Sequence, residues 1–76
     1  MEKQGSMVVD AQFKVGQKFK TRHKRPRFCI VTDVLKTYDS KGELVEIRYV
    51  AEHTFMGQII TDRNVVDTTI AMGAYD

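Results

Sequence analysis

Tryptophan is absent from the 76-residue chain, and cysteine and proline each occur once. A single Cys29 excludes an intramolecular disulfide, so nothing covalent staples this short chain. Its flanks, Phe28 and Ile30, predict a buried, inert thiol rather than a nucleophile. No run approaches the roughly 18 apolar residues a membrane span needs, and residues 1–5 hold no signal-peptide apolar core. The expectation is a soluble, cytoplasmic protein with no membrane association. Glycine-rich phosphate loops, Cys-x-x-Cys and His-x-x-x-His spacings are also missing. His23, Cys29 and His53 are the only soft ligands and stand apart, so the sequence predicts no metal and no cofactor. Glu43, Glu46 and Glu52 fit an exposed strand face shared with Arg48 better than a catalytic pair. A chain this small also leaves little room for a substrate cavity, and no enzyme is expected.

The sharpest absence is of acid. Residues 11–32 carry seven Lys or Arg and no Asp or Glu, whereas residues 1–10 sum to −1 and residues 33–76 to −4. The net charge of +2 therefore hides a segregation that steers anionic partners to one part of the molecule. The cationic run is Lys14, Lys18, Lys20, Arg22, Lys24, Arg25 and Arg27, and it passes directly into the strand-like segment Phe28 to Leu35. Period-2 alternation places Lys18, Lys20 and Arg22 on one face, with Gln17, Phe19 and Thr21 on the other.

Pro26 interrupts the pattern, so His23 to Pro26 reads as a loop that carries His23, Lys24 and Arg25 at its tip. Phe28 to Thr37 follows as a long β-branched strand, with a change of parity near Thr32-Asp33 that suits a bulge. Tyr38 to Gly42 is a turn. It leads to a strand in which Val45, Ile47, Tyr49 and Ala51 should face the core. That strand is expected to run on to Phe55 and turn at Met56-Gly57-Gln58 into a short strand, Ile59 to Thr61. Asn64 then suits an N-cap and Gly73 a C′ position, so a short C-terminal helix or 3₁₀ turn is expected, against the strand preference of the five β-branched residues between them.

The whole reads as mainly β: a flexible tail over residues 1–10, then one small antiparallel barrel or bent sheet of four to five strands over residues 11–76. Three stretches, Val15-Gly16-Gln17-Lys18-Phe19, Ile30-Val31-Thr32-Asp33-Val34-Leu35 and Gly42-Glu43-Leu44-Val45-Glu46-Ile47-Arg48-Tyr49, resemble an SH3-like barrel of the KOW or Tudor type. In that class a G-x-x-V/F strand leads into V-x-x-V-L…G…V-x-V hairpins, and the resemblance spans residues 13–61. The segment from Phe55-Met56-Gly57-Gln58 to Thr69-Ile70-Ala71 is also similar to small uncharacterised proteins of tailed phages and prophages.

These observations give two functional expectations. In the first, the domain binds nucleic acid without sequence preference, with Lys18, Lys20, Arg22, Lys24, Arg25 and Arg27 on phosphates and His23 assisting. Phe19 or Phe28 would stack on bases. In the second, the same cationic face meets the acidic surface of a protein, as in a phage-type inhibitor of a host complex. Met56, Val50, Leu44 and Tyr75 could add an exposed apolar patch suited to a protein partner or a homodimer.

Overall fold

The structure, a computed structural model, describes residues 10–76. The tail expected over residues 1–10 thus lies outside the described residues except for Asp10. Five strands, β1 (Lys18–Lys20), β2 (Phe28–Tyr38), β3 (Leu44–Phe55), β4 (Gln58–Val65) and β5 (Ala74–Tyr75), form one antiparallel sheet, and α1 (Asp67–Gly73) precedes β5. The spatial order is β4-β3-β2-β1-β5. The sheet does not close, and β4 and β5 are its edges. No helix of the described residues is long and apolar enough to cross a membrane.

The turns follow from backbone chemistry. Met56 (φ 51°) and Gly57 (φ 78°) are both left-handed and join β3 to β4 in two residues. That pairing of positive angles matches the right-handed twist of the flanking strands. Between β2 and β3, the Asp39 carboxylate accepts from the backbone N–H of Lys41 (2.8 Å) and of Glu43 (2.9 Å), and Gly42 takes the left-handed angle. The expected bulge is present, since the β2–β3 register shifts between Val31 and Asp33.

The core is small. Phe19, Cys29, Val31, Tyr49, Ala51, Val65 and Ile70 are buried together, with Ala11, Phe13, Val34 and Ile47 packed against them. Ile70 anchors α1 from above, and complete burial of such a side chain is worth about 1.5–3 kcal/mol. Tyr49 is fully buried as well. Its hydroxyl accepts the backbone N–H of Gln12 (3.0 Å) and of Phe13 (3.4 Å), and its ring meets Phe13 edge to face at 6.0 Å.

Four expectations are corrected. Val45 does not face the core: it is 47% exposed, because a second register shift between Thr37 and Tyr38 leaves it at the hairpin end. The strand expected to end at Thr61 continues to Val65, so Asn64 lies in β4 and accepts from Arg48 Nη1 at 2.9 Å instead of capping a helix. The N-cap is Val66, without a side-chain cap bond, and β-branched Val65 and Val66 are kept out of the helix. Gly73 is the last helical residue rather than a left-handed C′ position.

Candidate nucleic-acid interface

Alternation along β1 sends Phe19 inward and Lys18 and Lys20 outward, as the period-2 reading requires. Phe19 is 2% exposed and fills the core, so it is removed from the candidate stacking residues. Phe28 takes the opposite role. It is 65% exposed, stands directly across from Lys20, and shares the outer face of the sheet with both lysines.

The basic loop is held at its base. Thr21 N–H donates to the Arg27 carbonyl (3.0 Å), and Arg27 N–H donates back to Thr21 Oγ1 (2.9 Å). Arg22, His23, Lys24, Arg25 and Pro26 are thereby presented as a pinned, exposed loop. A cleft of about 480 Å³ separates this loop from the end of α1, with Lys20, Arg22, His23 and Met72 in its walls.

Arg27 departs from the group. Its guanidinium lies 4.4 Å over the centre of the Phe55 ring, and Nη1 is 3.1 Å from His53 Nε2. A guanidinium only donates, so His53 Nε2 stands as the acceptor of this contact. The Phe55 ring face attracts the cation without supplying a counter-charge. It lines a second cleft of about 560 Å³ with Arg25, Phe28 and Phe55.

Among the described residues the two ion pairs are Lys36–Asp10 (2.8 Å) and Arg48–Glu46 (2.7 Å). Neither involves Lys18, Lys20, Arg22, Lys24, Arg25 or Arg27, so no described carboxylate neutralises the predicted site. One acid does face it: Glu52 stands across from Ile30, which in turn stands across from Lys18. The thiol of Cys29 is buried beneath this face, and burial pushes it above its ordinary pKa, with Arg27 opposing and Asp62 adding to the shift. Among the described residues no group of three His, Cys, Asp or Glu is placed to hold a metal.

The structure therefore gathers Lys18, Lys20 and Phe28 on the outer face and Arg22 to Arg25 on the adjoining loop, while Arg27 turns toward Phe55. It also brings in two aromatic residues: Tyr75, expected only as part of an exposed apolar patch, and Phe55, to which the sequence reading gave no binding role. Tyr75 meets Phe28 edge to face at 6.2 Å and stands across from Lys18. Phe55 seats Arg27. Neither had a local signal, since each contact joins residues far apart in the chain. Comparison with protein-family models, with curated proteins and with solved structures finds no match to this chain.

Proposed function

We propose that this domain binds nucleic acid through the outer face of β1 and the Arg22–Arg25 loop, chiefly by contacts to phosphates. The observation that carries this reading is a contiguous set of exposed cations with no described carboxylate partner, in the longest stretch of the sequence without acids. Lys18, Lys20, Arg22, Lys24 and Arg25 contact phosphates, Arg27 contributes from the Phe55 cleft, and His23 extends the loop tip. About four to six phosphate contacts would make affinity independent of sequence and strongly dependent on salt. We also place the domain in the SH3-like class. The antiparallel order β4-β3-β2-β1-β5, with a short helix before the last strand, supports that assignment.

The test is a gel shift comparing the chain with its R22A/K24A/R25A variant on the same oligonucleotide. All three side chains are exposed, so the variant should retain the thermal melt of the parent. Loss of the shifted band is expected, and an undiminished band would sink the site. Retention of a defined acidic protein, with no nucleic acid bound, would transfer the same cations to a protein partner.

A further inference from the structure

Resting on the nucleic-acid reading above, we infer that the outer face of β5, β1 and β2 is a stacking platform for single-stranded nucleic acid. Phe28 and Tyr75 receive bases, while Lys18 and Lys20 hold the adjoining phosphates. The register makes the arrangement. Lys20 stands across from Phe28, and Lys18 stands between Ile30 on one side and Tyr75 on the other. Each cation thus alternates with an exposed apolar side chain on one pleated surface.

The two rings are oriented to leave a stacking surface. They meet edge to face, with an interplanar angle of 89° and centroids 6.2 Å apart. The edge contact fixes Phe28 while leaving it 65% exposed, and Tyr75 is 40% exposed. Ile59, 68% exposed, forms the far wall of a hollow of about 250 Å³ shared with Phe28, Ile30 and Tyr75. That volume is below the roughly 300–1,000 Å³ of drug-sized ligand sites, and the hollow suits a flat ring laid against a wall.

The charge pattern selects the occupant. Duplex bases have both faces covered by their neighbours, so a duplex would engage the lysines and leave the aromatic pair unused. A single strand offers phosphates and open base faces together, and stacking tolerates any base. A second copy of the chain fits poorly. A two-fold contact through this face would bring together two copies each of Lys18 and Lys20, with Glu52 the acid in opposition.

The experiment uses a fluorescein-labelled oligothymidine and a labelled duplex of equal length, titrated with the full chain and followed by anisotropy. Phe28→Ala is expected to weaken single-strand binding on the order of tenfold and to leave duplex binding unchanged. Phe28→Trp supplies a second readout, because the chain has no other tryptophan. Its emission should be quenched when unlabelled oligothymidine binds. Equal single-strand affinity in parent and F28A, or binding of F28W without quenching, overturns the platform and leaves the phosphate-contact reading intact. Absence of binding by the parent to either form at low salt overturns both.

Discussion

The backbone of Gly73 lies directly against the Lys20 carbonyl, and a Cβ built on Gly73 would overlap that oxygen. The end of α1 is therefore seated on β1, the strand that carries both outward lysines. Backbone cannot yield as a flexible side chain can, so any larger residue must lift the helix and with it Ile70. Gly73→Ala should lower stability by about 1–3 kcal/mol, the usual cost of overpacking. Chemical denaturation checks this. A midpoint equal to that of the parent would show that helix and strand are not packed this closely.

The Tyr49 hydroxyl ties residues 12 and 13 to the sheet. Removing it leaves the N–H groups of Gln12 and Phe13 without that acceptor, beside a ring that is fully buried. Tyr49→Phe should cost about 0.5–1.5 kcal/mol and accelerate amide exchange at Gln12 and Phe13 specifically. Uniform acceleration across β3 would point to lost packing instead.

The Asp10–Lys36 pair gives a dependence on pH with a defined sign. A hydrogen bond from Lys36, the largest cause, holds the Asp10 carboxyl below its ordinary value, aided by the Ala11 N–H and the Lys36 charge. The hydrogen bond to Asp10, followed by its charge, raises Lys36 in return. A depressed carboxyl contributes stability above its ordinary value and loses it as pH falls through the lowered one. A raised amine contributes below its ordinary value and loses it as pH rises through the higher one. The pair's contribution thus spans the neutral range and fades at both extremes. It stays small, because both groups are exposed. Carboxyl-detected NMR should show the Asp10 midpoint rising toward an ordinary aspartate in Lys36→Met, and no movement would remove the pairing.

Much of this fold is legible in the sequence because its signals are local. Asp39 and Gly42 mark one hairpin and Gly57 the other. The parity change at Thr32-Asp33 marks the bulge, and period-2 alternation puts Lys18 and Lys20 outside with Phe19 inside. The mistaken roles share a different origin. Val45 has the right parity but lies beyond the reach of the core. Asn64 has good capping chemistry, yet pairing of β4 with β3 carries the strand through it to Val65. Phe19 and Phe28 both interleave with cations in sequence; alternation along β1 turns Phe19 inward, and the pairing of Phe28 with Lys20 puts Phe28 on the outer face. Tyr75 beside Phe28, and Phe55 beneath Arg27, depend on the same long-range pairing. No local pattern encodes it.

The salt dependence of binding tests the central claim most directly. The logarithm of the association constant, measured by anisotropy on a labelled oligonucleotide, is plotted against the logarithm of salt concentration for the parent and for R22A/K24A/R25A. With four to six phosphates contacted, the parent slope should be about −3 to −5, and the variant should lose about 2 to 3 of it. A parent slope near zero, or one unchanged in the variant, would contradict the account.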